Sequence, residues 1–477
     1  MNILILNLPG PVLKAGSRWY NKDKAKTRKN ILRYYPYPWF MGYATALLKK
    51  HGFEVTFKDA IALEWNENQA RNYINSLKPE YIICEPTWVS LDDDVKFLNS
   101  LDLNAVRIAV GNCATNFPYL CIEKGFDYAV VGEYEFSLLE FFKNEGKQLP
   151  VNFVSRQKKQ YAYYPLVENL DLFPFPERDD TPIEYYNEPS CYGRNVVMVS
   201  SRGCRLKCNF CNVECIYGRH IYRTRSPQNV VDEMEWIKEN MPEVKEIFVE
   251  DDTMTVDKNR MLEICKLIKE RKLDIVWSTN ARTDIPLHVL KEMKEAGCRM
   301  LIVGYESGNQ QILNNIKKGI TLEQAEQFTR DAKAVGIKIF GCFMIGLPGD
   351  TKETIRQTIK WAKHLKPDMI QIEQIVPFPG TEFYEWAKAK GYVKTEDPDA
   401  WLDETGQLGF LIDYPHLSAE ELKKMRDKLT LEFYTDPRQM IRILLNNLHP
   451  SEFIRLTKAS IDYFTYLLKK KVWAQRR

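Results

Sequence analysis

The 477-residue sequence lacks an apolar run long enough to cross a membrane. Its longest such run, around residues 339–348, is far shorter than the roughly 20 residues that a spanning helix needs. The sequence also lacks an excess of one charge, since 67 Lys and Arg residues oppose 64 Asp and Glu residues, and this balance argues against nucleic acid as a partner. The apolar start at residues 3–8 is too short for a secretory signal, so we expect a cytoplasmic protein.

Two series of alternating strand and helix patterns define the predicted α/β fold. In residues 1–150 they predict a Rossmann-like, doubly wound parallel sheet, and in residues 191–392 they predict a partial (β/α)6 TIM-like barrel. Residues 151–190, rich in Pro and Tyr, are predicted to be a linker, and residues 393–477 a helical C-terminal region. Ligands are expected at the carboxyl ends of the strands. No Gly-x-Gly-x-x-Gly follows a strand of the first domain, which argues against a nicotinamide dinucleotide.

Eleven cysteines in a chain without a secretory signal are not expected to form disulfides, so their spacing becomes the question. Cys204, Cys208 and Cys211 follow the first barrel strand in a Cys-x-x-x-Cys-x-x-Cys pattern. Three thiolates can hold three irons of a cubane and leave the fourth iron open, so this pattern predicts a [4Fe-4S] cluster. Gly203 allows a sharp turn before the first cysteine, and Phe210 is placed to shield the cluster from water.

A structural zinc site is the alternative for the same cysteines, with Cys215 as the fourth sulfur ligand. Such zinc sites usually combine two separated Cys-x-x-Cys pairs, and a compact run at the opening of a barrel does not follow that pattern. Apart from this alternative, the sequence assigns no role to Cys191 or Cys215.

The segment Cys204-x-x-x-Cys208-x-Phe210-Cys211, at the end of a first barrel strand, resembles the signature of the radical S-adenosylmethionine (SAM) superfamily over about residues 190–390. The resemblance implies an oxygen-sensitive enzyme whose reduced cluster donates an electron to SAM. SAM then splits into methionine and a 5′-deoxyadenosyl radical, which abstracts hydrogen from a substrate. A low-potential electron donor such as flavodoxin or ferredoxin is also implied.

The same resemblance places SAM at the ends of the barrel strands, where the residue types suit its groups. One of three consecutive acids after the second strand can accept from the ammonium group, Arg282 can pair with the carboxylate, and Glu306 can bind the ribose hydroxyls. The backbone of residues 346–349 offers a flat edge for adenine. The implied SAM-binding residues are Phe210, Glu250, Asp252, Arg282, Glu306, Ser307, Gly346 and Leu347. The candidates for a catalytic acid or base, between which nothing selects, are Tyr305, Glu373 and His220.

Residues 1–180 resemble the N-terminal domain of the radical SAM subgroup that binds cobalamin (vitamin B12). Residues 111–118 resemble its Gly-Gly-Pro-His-x-Thr-x-x-Pro segment, and residues 132–135 its Gly-Glu-Gly-Glu segment. The resemblance implies cobalamin as a further cofactor, with contacts from Gly10, Glu85, Gly111, Thr115, Gly132 and Glu133. Two departures leave open a domain of this fold without cobalamin: Asn112 replaces the histidine of the first segment, and residues 52–219 contain no histidine.

Together the resemblances imply a cobalamin-dependent radical SAM enzyme that methylates an unactivated carbon or catalyses a ring contraction or cyclisation. Residues 15–19 resemble proteins of hopanoid and related lipid pathways, and residues 451–471 predict a helix that contacts a membrane or docks on the protein itself, so a lipid or natural product is an expected substrate. The basic residues 22–29 are expected to form a solvated loop. The open alternatives are a radical SAM enzyme without cobalamin and a non-enzymatic zinc- or cluster-bearing scaffold or regulatory protein.

Overall fold

The computed structural model describes residues 1–10, 35–181, 183–188, 190–401 and 408–446. The stretches 15–19, 22–29 and 451–471, on which the lipid, loop and terminal-helix expectations depend, lie outside these ranges. Within the described ranges, no helix is both long and apolar enough to cross a membrane.

The N-terminal part of the described chain forms a six-stranded sheet. Its strands are β1 Asn2–Asn7, β2 Glu54–Asp59, β3 Tyr81–Cys84, β4 Val106–Ala109, β5 Tyr128–Val130 and β6 Phe153–Val154, in the order β2-β1-β3-β4-β5-β6. The first five strands are parallel, and β6, which lies in the predicted linker, is antiparallel to β5. β1 is buried along nearly its whole length, as an unbroken apolar run in a sheet covered on both faces should be.

Helices cover both faces of this sheet. They are α1 Trp39–Lys50, α2 Glu67–Leu77, α3 Leu91–Asn99, α4 Gly111–Asn116, α5 Pro118–Lys124 and α6 Glu135–Lys143. α1 and α6 supply the apolar cluster on one face, and α2, α3 and α5 supply the cluster on the other. The predicted doubly wound α/β sheet is therefore confirmed, and its strand-end loops lie along one edge.

The second part of the chain is the predicted partial barrel. Its strands are β7 Asn195–Met198, β8 Ser201–Arg202, β9 Arg223–Thr224, β10 Glu246–Val249, β11 Trp277–Ala281, β12 Cys298–Glu306, β13 Lys338–Ile345 and β14 Met369–Gln374. β7 and β10 to β14 form a parallel sheet in chain order, while β8 and β9 pair as a short antiparallel ribbon. The helices of this part are α7 Val213–Tyr217, α8 Pro227–Asn240, α9 Lys258–Glu270, α10 Leu287–Glu295, α11 Gln310–Asn315, α12 Leu322–Ala334 and α13 Lys352–Leu365. Apolar residues of α8 to α13 join those of the strands in one core.

The C-terminal part covers the edge strand of the barrel. Its helices are α14 Glu382–Ala389, α15 Ala419–Tyr434 and α16 Pro437–Asn446. α15 packs along β14, where the Tyr434 hydroxyl accepts from the Ile370 N–H (3.0 Å) and donates to the Ile370 carbonyl (2.7 Å). This cover removes the exposed strand edge that an open barrel would otherwise present.

Candidate cluster and cofactor site

The β8–β9 ribbon closes the base of the loop that carries the three predicted cluster cysteines. Gly203 begins this loop with a φ of +83°, in the left-handed region that favours glycine. A Cβ at this position would collide with the carbonyl oxygen of Ile221, on the returning side of the loop. The chain can therefore turn here only with glycine, as the sequence predicted.

The acids that follow β10 hold this loop in place. Asp251 is fully buried and accepts hydrogen bonds from the backbone N–H groups and hydroxyls of residues 200–201 (2.5–3.0 Å). Asp252 accepts from the N–H of Gly203 (3.0 Å). The structure thus gives Asp252 a role in the loop that differs from its predicted contact with SAM. Glu250 lies half-buried directly after β10, and a contact with the ammonium group of SAM stays a prediction for it.

Cys204, Cys208 and Cys211 are each half-buried on this loop. Burial raises the pKa of Cys208 and raises that of Cys211 to about 12, and the charges of the other cysteines add to both. The three sulfurs are thus close enough to interact, and a metal centre would be needed to keep the Cys208 and Cys211 thiols deprotonated. Among the described side chains, no three His, Cys, Asp or Glu converge tightly enough to hold a single metal ion. A cubane, whose irons occupy separate corners, takes sulfurs that lie further apart.

Cys215 and Cys191 point elsewhere. The Cys215 sulfur lies 3.9 Å from the carbonyl oxygen of Pro379, in the loop after β14. Cys191 is buried beside Glu246 at the opposite end of the barrel, and this burial raises the pKa of its thiol well above the usual range. Neither residue is therefore placed as a fourth ligand beside the three cysteines of the loop.

Lys318, which sequence reasoning missed, brings a cation to the cluster loop. Its Nζ donates to Glu306 Oε1 (2.6 Å), and the two side chains are only 9% and 10% exposed. Burial lowers the pKa of Lys318, but the Glu306 carboxylate outweighs it and the pKa is raised overall. The Lys318 charge also opposes the rise in the pKa of Cys208, so it lies beside that thiol. Lys318 lies in the loop after α11, and the fold brings it to Glu306 at the end of β12. The sequence alone carries no signal of this pairing.

Arg282, after β11, suits its predicted role as a carboxylate ligand. Its guanidinium is buried, and one Nη2 donates to the backbone carbonyl of Lys318 (2.9 Å). Its Nε makes no hydrogen bond within the described part of the chain. A buried donor without a partner costs about 1–3 kcal/mol, which an incoming carboxylate would recover. This donor and the three thiols fit SAM bound at a cluster.

Two predicted site residues face away from the barrel interior. The Tyr305 hydroxyl is 2.6 Å from the Thr329 hydroxyl on α12, and its ring stacks on Phe343 with centroids 5.4 Å apart. The Ser307 hydroxyl is 3.2 Å from that of Thr358 on α13. Both residues brace β12 against the outer helices. These contacts engage the two hydroxyls with protein groups, and the roles of Tyr305 as a catalytic candidate and Ser307 as a SAM contact stay predictions.

Glu373 is the catalytic candidate that faces the barrel interior. It is exposed on β14, on the face opposite the buried Ile372. Burial raises the pKa of Cys342, and the charges of Glu306 and Glu373 raise it further, so both acids face that thiol. His220, by contrast, pairs with Glu214 at 2.8 Å on the outside of the cluster loop.

Polar backbone groups of the loop after β13 form hydrogen bonds with other protein groups. The Gly346 carbonyl accepts from the Tyr414 hydroxyl (2.8 Å), and the Leu347 N–H donates to the Asp350 carboxylate (3.0 Å). The Leu347 side chain is fully buried. The predicted adenine edge at Gly346 and Leu347 is therefore covered by protein, chiefly by the segment that precedes α15. Phe210 is half-buried against the barrel core, consistent with shielding the cluster loop.

Asp350, in the same loop, should make the free energy of unfolding depend on pH. Burial raises its pKa from 3.8 to about 6, so the folded protein binds this proton more tightly than the unfolded chain. Its contribution to stability is therefore greatest below about pH 4 and is lost as the pH rises through about 6. Relative to Asp350→Asn, the wild type should lose about 2 kcal/mol of unfolding free energy between pH 4 and pH 7. Urea titrations at both pH values measure this, and a pH-independent difference would contradict it.

The residues predicted to contact cobalamin at the edge of the N-terminal sheet bind one another. Glu85 accepts from the Tyr134 hydroxyl (2.6 Å). The Thr115 hydroxyl donates to the Gly111 carbonyl (2.8 Å) and accepts from the Gly132 N–H (2.9 Å), which ties α4 to the loop after β5. The side chains of Glu85 and Thr115 therefore shape this edge, and their contacts with cobalamin stay predictions.

Glu133 is likewise engaged with protein, through buried ion pairs to Arg202 (2.9 Å) and Arg223 (2.6 Å). Burial would raise its pKa, but the two guanidinium groups outweigh this and lower it. Glu133 thus contacts the base of the cysteine loop, and its contact with cobalamin stays a prediction. Gly10 is half-buried at the end of the first described range, and its contact with cobalamin stays a prediction.

This edge of the N-terminal sheet faces the cluster loop. α4 contacts α7, the helix that follows Cys211. Tyr163, in the predicted linker, lies against Gly132 and Gly218 and donates to the Cys215 carbonyl (3.1 Å). Trp88, after β3, stacks on an aromatic ring of the same domain with centroids 4.3 Å apart. These aromatic residues were missed in the sequence, where the only signal was the 12% content of Phe, Trp and Tyr.

Comparisons with known proteins agree with this architecture. Residues 198–362 match the sequence model of the Radical SAM superfamily. An uncharacterized methyltransferase of Pyrococcus horikoshii is 28% identical over 85% of this chain and 89% of its own length. The cytidylyl-2-hydroxyethylphosphonate methyltransferase of Streptomyces wedmorensis is 25% identical over 90% of this chain and 92% of its own. The fold resembles that of the radical SAM methyltransferase TsrM from Kitasatospora setae, solved with cobalamin and a [4Fe-4S] cluster, with a TM-score of 0.67, 18% identity and coverage of 93% and 90%.

Proposed function

This chain belongs to the radical SAM superfamily, and we propose that Cys204, Cys208 and Cys211 hold the [4Fe-4S] cluster of a radical SAM enzyme. The observation that carries the proposal is the grouping of these half-buried thiols on one loop, with the cation of Lys318 and the unsatisfied donor of Arg282 beside it. Membership of the superfamily implies the cluster and SAM as cofactors. When bound, the cluster supplies the electron that cleaves SAM.

The residues around the three cysteines divide the recognition of SAM between them. Arg282 Nε is the donor for the SAM carboxylate, and Glu250 is the acceptor for the ammonium group. Glu306 offers its second carboxylate oxygen to the ribose hydroxyls, while Lys318 fixes the first. Phe210 excludes water from the cluster side of the pocket. Arg282 is held by burial and its bond to the Lys318 carbonyl, and Glu306 by its ion pair with Lys318, before SAM arrives, which favours a single bound geometry.

We further propose that cobalamin binds between the edge of the N-terminal sheet and the cluster loop and that the enzyme transfers a methyl group to a small molecule. The position of α4 against α7 supports this, because it brings that edge close to where SAM would bind. The two methyltransferases above, similar over most of their length, support methyl transfer. A low-potential donor such as flavodoxin or ferredoxin, a cytoplasmic location, and a lipid or natural-product substrate belong to this proposal as expectations.

A radical SAM enzyme without cobalamin is the second candidate, and one observation favours it. The side chains of Glu85, Thr115 and Glu133 are all bound to other protein groups. A corrin would then depend on backbone contacts and shape at this edge. Ring contraction or cyclisation by the 5′-deoxyadenosyl radical is compatible with this second candidate as well as with the first.

One experiment separates the candidates. Protein reconstituted anaerobically with iron and sulfide is incubated with hydroxocobalamin, repurified, and then reduced in the presence of SAM. We expect about four irons per chain, retained corrin absorption, and release of 5′-deoxyadenosine or S-adenosylhomocysteine that requires the reductant. Loss of the corrin with SAM cleavage intact would favour the second candidate. Bound iron without any SAM cleavage would contradict the enzyme proposal and favour a scaffold.

A further inference from the structure

Arg202 lies two residues before the first predicted cluster cysteine, yet its side chain reaches into the N-terminal domain. Its Nη1 is 2.9 Å from Glu133 Oε1, and its Nη2 is 2.8 Å from Glu135 Oε1. The three side chains are 2%, 9% and 1% exposed. Glu133 lies in the loop between β5 and α6, and Glu135 is the first residue of α6, so one guanidinium connects the base of the cluster loop to the neighbouring domain.

A second guanidinium strengthens this connection. Arg223 lies on β9, opposite Arg202 in the ribbon, and its Nη2 is 2.6 Å from the same Glu133 Oε1. Its Nη1 donates to the carbonyl of Val167 in the linker (2.7 Å). The four buried charges cancel, and both strands at the base of the loop are held by acids from outside the barrel.

Aromatic rings enclose the Arg202 guanidinium on its other sides. Its Cζ lies 4.2 Å from the ring centroid of Phe173 and 5.0–5.3 Å from those of Trp39, Phe40 and Tyr43. These rings attract the cation and exclude water from its ion pairs. Only the planar fork of arginine can bind two carboxylates and stack on rings at once, so lysine is not equivalent here.

Stability alone does not explain such a buried ion-pair network, because apolar residues of similar volume often stabilise the folded protein as well or better. Ion pairs with defined geometry instead fix the positions of the chain segments that they join. Arg202 directly precedes Gly203, the residue at which the loop must turn, and the same turn is held from the barrel side by Asp252. The loop is thus fixed between two domains.

We propose that Arg202 is a positioning residue through which the N-terminal domain sets the geometry of the cluster loop, whether or not that domain binds a cofactor. The inference rests on the proposed function, because it assumes a cluster on the three cysteines. It gives the N-terminal domain a role in radical chemistry that is independent of cobalamin. Glu133 and Glu135 are the partners through which the role is exerted.

The test compares Arg202→Lys and Glu135→Gln with Arg299→Lys in the reconstituted full-length protein. Arg299 is the matched control, because its Nε pairs with the fully buried Glu246 (2.7 Å) at the opposite end of the barrel. The measurements are iron content, the electron paramagnetic resonance (EPR) spectrum of the reduced cluster with and without SAM, and kcat and KM for SAM cleavage. Glu135→Gln keeps the shape of the side chain, so it remains informative if Arg202→Lys does not fold.

We expect all three variants to bind iron. Arg202→Lys should show a shifted or broadened EPR spectrum and a roughly 10- to 100-fold lower kcat. Glu135→Gln should show a smaller change of the same kind. Arg299→Lys should keep the wild-type spectrum and kcat. Wild-type spectra in both Arg202→Lys and Glu135→Gln, or an equal change in Arg299→Lys, would overturn the positioning role alone. A wild-type protein that takes up no cluster would instead overturn the proposed function.

Discussion

Replacing Cys208 with alanine should reduce the iron content from about four per chain to a small fraction and abolish detectable SAM cleavage. In the proposed cluster each of the three thiolates would hold one iron, so two of them would not retain a stable cubane whose fourth iron already lacks a protein ligand. Iron analysis and a 5′-deoxyadenosine assay after anaerobic reconstitution measure both effects. The same loss is expected for Cys204→Ala and Cys211→Ala.

Cys215→Ala is the matched control for this prediction. Cys215 lies on the helix that follows the loop, is more deeply buried than the three cysteines, and has its sulfur near the Pro379 carbonyl. Its removal should leave iron content and SAM cleavage unchanged. If Cys215→Ala loses metal as completely as Cys208→Ala, and zinc rather than iron is bound, the four-sulfur zinc alternative is correct.

Gly203→Ala should prevent cluster assembly, because an added Cβ must displace the backbone of Ile221 and with it the returning side of the cluster loop. Gly52→Ala is an unusually close control. The two glycines have φ values of +83° and +84°, but a Cβ at Gly52 meets no atom within 4 Å. Both variants should lose about 1–2 kcal/mol of unfolding free energy from left-handed backbone strain.

Beyond this shared loss of unfolding free energy, the two variants should differ in stability and in iron content. Gly203→Ala should be destabilised further and bind little iron, whereas Gly52→Ala should bind iron as the wild type does. Unfolding free energies from denaturant titration and iron content after reconstitution test the pair. Equal iron content in the two variants would show that the turn at Gly203 does not need glycine for the cluster loop to form.

The fold was predictable because its signals are local. Unbroken apolar strands such as β1 and the alternating strand and helix pattern indicate parallel sheets covered by helices. Both sheets have that form, apart from the antiparallel edge strand β6. The spacing of Cys204, Cys208 and Cys211 places three thiols on one loop wherever the rest of the chain lies. Gly203 was predictable for the same reason, since a sharp turn in sequence needs no distant partner.

The partners of the predicted site residues were not predictable, because they come from distant parts of the chain. Ser307 and Glu306 are adjacent in sequence, yet one bonds to Thr358 on an outer helix and the other pairs with Lys318 near the cluster loop. A left-handed φ of +63° at Glu306 changes the direction of the chain between them. Glu133, whose sequence context resembles a cofactor-binding segment, is instead an ion-pair partner of the barrel.

The most direct test of an open iron at Cys204, Cys208 and Cys211 is the EPR spectrum of the reduced, reconstituted protein before and after addition of SAM labelled with ¹⁵N in its amino group. Binding of the amino group to the open iron should shift the g values and produce a ¹⁵N hyperfine coupling to the cluster. A reduced cluster whose spectrum does not change with SAM, and which shows no coupling to the label, would contradict the presence of an open site.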